Sequence, residues 1–167
     1  MRSFFRGVSG DDRAFFKEDL SAPDLISRWL ADLPTSRFVA RSGPEILGYL
    51  AVIPGTDRFR HVAELRVVVR GDSRRLGIGT SLARHGVTLA VEETGSSKIF
   101  VEVPAPQKDG ASMFLNLGFV PEALLRDHLE DQAGVRHDLW ILSHFVEDNR
   151  DALELMGIPG ELEGLAQ

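Results

Sequence analysis

The sequence predicts an α/β fold in which a mixed, mostly antiparallel central sheet is flanked by helices. Three short segments rich in apolar and β-branched residues, separated by turn residues, predict an antiparallel meander: 37–41, 46–53 and 61–70. An amphipathic helix at 77–94 leads to a further strand at 98–103, which predicts a right-handed parallel crossover. Two more strand segments, 119–130 and 135–145, are joined by a glycine-containing turn and complete the sheet as a hairpin.

The N-terminal part of the chain carries weaker signals than the meander. Residues 2–8 contain two adjacent phenylalanines, which favour strands, and we predict a short strand there. Residues 9–12 include the capping types Ser and Asp and predict that a short helix follows. A second helix opens at Pro23, has apolar residues at helical spacing, and ends before Pro34, because proline cannot continue a helix.

The second half of the chain alternates helix and strand signals. Gly95 ends the long helix in the manner of a C-terminal glycine cap. Strand 98–103 ends at a proline, and a further amphipathic helix is predicted at about 108–117. We expect residues 1–146 to form one domain, and residues 147–167 to form a terminal helix and a tail rich in helix breakers.

Composition excludes several classes of function. The chain has 167 residues, enough for one domain with a buried core, and no cysteine, which excludes disulfides and cysteine nucleophiles and fits a cytoplasmic protein. Its net charge of −6 argues against nucleic-acid binding. No apolar run approaches the roughly 18 to 20 residues of a membrane span, so we expect no membrane insertion. The five histidines form no recognisable ligand motif, so we expect no metal site.

Residues 64–82 combine a β-branched strand, an arginine- and glycine-rich turn and the start of a helix. Gly77 and Gly79 allow the backbone to pass close to a ligand. The first N–H groups of a helix have no partner inside the helix and attract anions. Three nearby side chains suit phosphate groups: Arg70, Arg74 and Arg75. The stretch therefore predicts an anion site, and the alternative is a tight strand-to-helix turn with solvated arginines.

Two segments resemble signatures of the GNAT family of N-acetyltransferases. Arg74-Arg75-Leu76-Gly77-Ile78-Gly79 matches the pattern R/Q-x-x-G-x-G/A, between a strand and a helix as in that family. About thirty-five residues later, Phe114-Leu115-Asn116-Leu117-Gly118-Phe119 is similar to the second signature, Tyr-x-x-x-Gly-Phe. The order of elements over residues 4–146 also resembles the family. The resemblance implies a GNAT-like acyl-CoA N-acyltransferase fold and transfer of an acetyl group from acetyl-CoA to a primary amine by direct attack.

The resemblance also implies roles for individual residues. Backbone N–H groups of the turn and the helix start would hold the coenzyme A pyrophosphate: Leu76, Gly77, Ile78, Gly79 and Thr80. The side chains that would contact the phosphates are those of Arg74, Arg75 and Thr80. Val68 and Val69 lie where the family's strand separates from its neighbour, so their backbone would bind the pantetheine arm and an adjacent N–H would polarise the acetyl carbonyl. Gln107 stands where many members have a cofactor-binding asparagine.

Acetyl transfer to an amine requires a base that accepts the proton of the amine. Glu64 and Glu102 lie on the strands on either side of the expected cofactor position. Each is near the position of the base in a different branch of the family, so both are candidates. The alternatives for each glutamate are an ordinary charge at a solvated strand face, or a partner of Arg66 or Lys98.

The proton source for the leaving thiolate is less clear from the resemblance. Phe114, which lies among the residues expected at the cofactor, stands where the family's general acid is a tyrosine, and a phenyl ring cannot donate a proton. The chain has one tyrosine, Tyr49, on another strand. Water or another side chain would then protonate the thiolate. The alternative function is a coenzyme-A-binding regulatory or interaction module with little catalytic activity.

The expected partner is a small-molecule or peptide amine. Residues 126–128 and 136–138 carry charged and histidine side chains on the two strands of the final hairpin, where they form either a cross-strand polar network or part of the acceptor site. Because members of the family are often dimers, the resemblance is also compatible with a homodimer.

Overall fold

The computed structural model describes residues 2–8, 22–32, 34–131 and 133–146, and in it six strands form one sheet. The strands are β1 (Ser36–Ser42), β2 (Glu45–Pro54), β3 (Val62–Val69), β4 (Lys98–Pro104), β5 (Val120–Glu130) and β6 (Arg136–Phe145). The described helices are α1 (Arg2–Gly7), α2 (Leu25–Ala31), α3 (Ile78–Glu92) and α4 (Lys108–Asn116). The strand order is β1-β2-β3-β4-β6-β5, so the predicted mixed α/β sheet flanked by helices is confirmed.

Only the pair formed by β3 and β4 is parallel, and it is short. Three residue pairs hold the two strands in register: Val62 with Lys98, Ala63 with Ile99, and Glu64 with Phe100. Beyond them, residues 65–69 of β3 remain paired with β2 and residues 101–104 of β4 remain paired with β6, but not with each other. The sheet therefore contains a gap at its centre, which opens toward the carboxyl ends of β3 and β4.

Each face of the sheet packs against a different pair of helices. The face under α3 and α4 forms the larger apolar core, which includes Leu50, Leu65, Val87, Ile99, Val101, Phe114 and Leu142. The face under α1 and α2 forms a smaller core in which aromatic rings meet: Phe5 contacts Trp29 and Tyr49 edge to face at 5.3 Å, and Trp29 stacks on Tyr49 at 5.2 Å. Because successive side chains of a strand point to opposite faces of the sheet, alternate residues of each strand join the two different cores.

The prediction of a strand at residues 2–8 is wrong, because Arg2–Gly7 is a helix. The two phenylalanines favour strands in isolation, but Phe4, Phe5 and Val8 all enter the same core at 4%, 1% and 2% exposure. A strand would send neighbouring side chains to opposite faces, whereas one helical turn presents all three to one face. Tertiary burial therefore overrides local propensity here.

The other predicted elements in the described part are present within a few residues of their predicted bounds. The short helix expected after residues 9–12 and the helix and tail expected at residues 147–167 lie outside the described residues. Among the described helices, none is long and apolar enough to cross a membrane.

Candidate active site

The turn between β3 and α3 presents a row of unpaired backbone donors. A short 3-10 helix, Gly71–Ser73, leads into it, and both Arg75 (φ +60°) and Gly77 (φ +79°) adopt left-handed backbone conformations. The first α3 bond runs from the Ser81 N–H to the Gly77 carbonyl at 2.9 Å. Within the described part of the chain, no group accepts from the N–H groups of residues 76–80. Five consecutive donors at a helix start form a site that suits a phosphate group.

The two signature glycines are required for different reasons. Gly77 needs its conformational freedom because its φ is positive, while a Cβ there would meet open space. Gly79 would place a Cβ 3.0 Å from the Met113 sulfur and 3.4 Å from a Val69 methyl carbon. Gly79 therefore lets the start of α3 pack closely against α4 and β3, a role that the motif alone does not reveal.

The three arginines predicted to contact phosphate lie in different environments. Arg70 donates to Asp72 at 2.6 Å and to Glu45 at 3.2 Å. These two carboxylates raise the pKa of Arg70, and the Arg70 hydrogen bond, with a further one from Ser73, lowers the pKa of Asp72. The Arg70 guanidinium braces the turn against β2 and is occupied by protein carboxylates.

Arg74 and Arg75 lie on the solvent side of the turn. The Arg74 Nε is 3.4 Å from the Val69 carbonyl, and its side chain is exposed. The Arg75 side chain is 83% exposed and donates to Asp109 on α4 at 2.9 Å. Arg74 and Arg75 therefore directly precede the row of N–H groups, and their side chains are exposed to solvent.

The remaining residues expected at the cofactor lie in three places: Val68 and Val69 beside the central gap, Gln107 directly before α4, and Phe114 in the larger core and not at the gap. Val68 and Val69 are half-buried and lie in the part of β3 that has separated from β4. Gln107 directly precedes α4, and its N–H donates to the Pro104 carbonyl at 2.8 Å. The Phe114 ring is only 6% exposed and packs edge to face on Phe119 at 5.1 Å, so it forms part of the larger core.

Both candidate bases face the α1 and α2 side of the sheet. Glu64 is the register partner of Phe100, and Glu102 lies two residues further along β4, so the two carboxylates share a face. Glu64 is 12% exposed and accepts from Arg66 at 2.7 and 3.4 Å. Glu102 is half-buried beside Ile141, at the level where β3 and β4 have separated.

Lys98, the other cation expected to pair with a glutamate, contacts a different acid. Its Nζ donates to Glu122 on β5 at 2.5 Å, and the Ser143 hydroxyl also donates to Glu122. The hydrogen bond from Lys98 is the main cause that lowers the pKa of Glu122, and the one from Ser143 lowers it further. Glu64 thus has the ion-pair partner that the alternative interpretation names, Arg66, and the pair is largely buried, while Lys98 contacts Glu122.

The final hairpin holds a local polar network at its tip. Three β5 residues, 126–128, bulge opposite Asp138, whose carboxylate accepts from the Asp127 N–H at 3.0 Å. His137 contacts Asp131 at 2.9 Å, and this hydrogen bond lowers the pKa of Asp131. The Asp131 carboxylate also accepts from the Ala133 and Val135 N–H groups, which fixes the turn.

Sequence reasoning missed three residues, two beside the turn and one in the core at the closed end of the gap. Asp109 and Met113, both on α4, contact the turn, and no local pattern indicates a contact between residues over thirty positions apart. His144 is fully buried in β6 beside Phe119, and no described group forms a hydrogen bond with its ring nitrogens. Burial lowers the pKa of His144, and a contact with the Gly118 backbone offsets this only in part.

Comparison with known proteins identifies the fold. A ribosomal-protein-alanine N-acetyltransferase from Brucella melitensis superposes with a TM-score of 0.74 at 20% identity, covering 87% of this chain and 96% of that one. A spermidine N-acetyltransferase from Vibrio cholerae, in complex with CoA and spermine, gives 0.73 at 15% identity, with 88% and 92% covered. A Salmonella typhimurium protein solved with its cofactor acetyl-CoA gives 0.67 at 18% identity, with 78% and 76% covered.

Sequence comparison identifies the family. No curated protein sequence matches the chain. A family model described as the acetyltransferase (GNAT) family matches residues 6–119, well over half of the chain, and includes both the turn and the Phe119 signature. The chain is a member of the acetyltransferase (GNAT) family.

Proposed function

We propose that the protein is an acetyl-CoA-dependent N-acetyltransferase that moves an acetyl group from the thioester to a primary amine of a small molecule or protein. The observation that carries this proposal is the central gap between β3 and β4, which opens beside five unpaired N–H groups. An extended ligand with a phosphate group at one end fits both features together.

The residues of the turn fit the phosphates of coenzyme A. Residues 76–80 offer their N–H groups to the pyrophosphate, with Arg74 and Arg75 at the solvent side to balance its charge. Val69, whose N–H and C=O face the gap while those of Val68 face β2, offers edge groups of β3 to the pantetheine arm. Gln107 lies after β4, directly before α4, on the other side of the gap. Structural relatives that hold CoA or acetyl-CoA support this assignment of the cofactor.

We assign the base to Glu102, and Glu64 is the second candidate. Bound acetyl-CoA supplies an acetyl group activated as a thioester, and the residues around it must orient the amine and accept its proton. Glu64 is already held by the Arg66 guanidinium and must leave that contact before it accepts a proton. Glu102 lies beside the gap itself, at the level where β3 and β4 have separated.

Carboxylates on this face favour a cationic acceptor. Two acetyltransferases with the same fold are named for amine acceptors, an alanine of ribosomal protein in one and spermidine in the other. The backbone N–H of Val69, which faces the gap, polarises the acetyl carbonyl in this proposal, typically the largest catalytic contribution. Because Phe114 is buried and has no donor group, water or another side chain protonates the thiolate.

The test is a pair of measurements on the wild-type protein. Isothermal titration calorimetry should show binding of acetyl-CoA, and thiol release over a panel of primary amines should identify at least one acceptor. Absence of binding at millimolar acetyl-CoA would contradict the proposal. Binding without thiol release from any amine would instead support the second candidate, a coenzyme-A-binding regulatory module, which the apolar Phe114 favours.

A further inference from the structure

The β3–β4 pairing joins the two sides of the gap at its closed end, and an ion pair joins them at its open end. Arg75 follows β3 and belongs to the turn that begins α3, whereas Asp109 lies in the first turn of α4, which follows β4. The two side chains meet at 2.9 Å across the open end. The nearby packing of Met113 near Gly79 also joins α3 and α4 at this point. The apolar contact of Met113 with Gly79 and the ion pair of Arg75 with Asp109 thus bridge the open end of the gap.

The carboxylate in this pair lies where an anionic ligand is expected. Arg75 is within one residue of the row of five unpaired N–H groups, so a pyrophosphate on that row comes close to the Arg75 guanidinium. Asp109 and a pyrophosphate are both anions that favour this guanidinium, and their mutual repulsion opposes simultaneous contact. Both side chains are 83% exposed, so the pair is solvated and its net stabilisation is small.

We propose that Asp109 sets the affinity of the turn for the phosphates of coenzyme A by competing with them for Arg75. Phosphate binding then exchanges one partner of Arg75 for another, and the displaced carboxylate weakens the complex and favours product release. Asp109 is a positioning residue, because it acts through Arg75. This inference rests on the proposed cofactor.

Four proteins test the inference by calorimetry with coenzyme A at one low ionic strength: wild type, Asp109→Asn, Arg75→Gln and the double variant. We expect Asp109→Asn to tighten binding by roughly 3- to 5-fold, because it frees Arg75 for the phosphates. Arg75→Gln should weaken binding by a similar factor. In the Arg75→Gln background, Asp109→Asn should change the Kd by less than about twofold, because coupled residues are not additive.

Glu92→Gln provides the matched control. It removes the same unit of charge from an exposed position at the last residue of α3, about 20 Å from the turn at 1.5 Å per helical residue. Its Kd for coenzyme A should equal that of the wild type.

Three results would overturn the inference. These are an unchanged or weaker Kd in Asp109→Asn, an equal gain in both Arg75 backgrounds, or the same gain in Glu92→Gln. If the wild type binds coenzyme A while Asp109→Asn shows no gain, the inference fails and the cofactor assignment stands. If the wild type does not bind coenzyme A, the proposed function itself fails.

Discussion

The two faces of the sheet meet at the central gap but are built by different means. On the α3 and α4 side, the turn relies on backbone geometry: a left-handed Gly77, a close approach at Gly79 and a row of free N–H groups. On the α1 and α2 side, the site relies on side chains, with Glu64 paired to Arg66 and Glu102 half-buried nearby. The first side is the proposed site for the cofactor phosphates, whereas the second carries the two proposed bases.

This difference determines how each side tolerates substitution. A backbone site is lost only when the chain is forced out of its path, so substitutions at glycine are the informative ones. A side-chain site depends on single carboxylates, which an isosteric amide removes without moving the backbone. Substitutions at four positions, taken from the largest expected effect to the smallest, test this contrast.

The largest effect is expected from Glu102→Gln. If Glu102 is the base, kcat should fall by about 10²- to 10⁴-fold, the usual contribution of general base catalysis. The Kd for acetyl-CoA should stay within twofold of the wild type, because the proposed phosphate contacts lie at the turn and not at Glu102. Steady-state thiol release and calorimetry measure the two quantities.

Glu64→Gln is the matched control for this substitution. It removes a carboxylate on the same face, and its effect on kcat should be less than tenfold, with the shape of the pH–rate profile kept. An unchanged kcat in Glu102→Gln together with a large loss of kcat in Glu64→Gln would show that Glu64, and not Glu102, is the base.

An intermediate effect is expected from Gly79→Ala. The added methyl lies 3.0 Å from the Met113 sulfur, so the protein should lose about 1 to 2 kcal/mol of unfolding free energy and bind coenzyme A more weakly. Adding Met113→Ala should restore part of the affinity by making room. Urea denaturation and calorimetry measure both quantities.

Gly77→Ala separates the two roles of glycine. The substitution should lower the unfolding free energy by about 1 to 2 kcal/mol, because φ at this position is positive. Adding Met113→Ala should not restore the lost stability, because a Cβ at Gly77 meets open space. Equal rescue of both alanine variants by Met113→Ala would show that the packing explanation for Gly79 is wrong.

The smallest effect is expected at His144, on the backbone-built side. Burial lowers the pKa of its ring, so the unfolded chain binds a proton more readily than the folded protein. The contribution to stability is complete above the ordinary pKa of 6.5 and falls as the pH drops below it toward the lowered folded value. The unfolding free energy should therefore decrease between pH 7 and pH 5, and His144→Leu should show a shallower decrease. Identical slopes would contradict this origin of the acid sensitivity.

The turn was predictable from sequence because its determinants are local. Strand period, adjacent glycines and the helix that follows occupy one continuous stretch, and Gly77 meets its requirement without any distant contact. Non-local features were not predictable in the same way. The helix at Phe4 and Phe5 depends on Trp29 and Tyr49, and the Asp109 contact depends on how closely α4 approaches the turn. Which glutamate lies next to an arginine is likewise decided by side-chain placement.

The short register between β3 and β4 also has a mechanical consequence. In the described part of the chain, the sheet consists of two three-stranded halves, β1-β2-β3 and β4-β6-β5, and the register between them contains three residue pairs at one end. The part of β3 that extends beyond its pairing with β4, from Glu64 to Val69, is about 17 Å long at 3.3 Å per residue. A rotation of about 5° between the halves about the closed end would move the open end by about 1.5 Å over this length. The contacts between α3 and α4 would limit such a rotation.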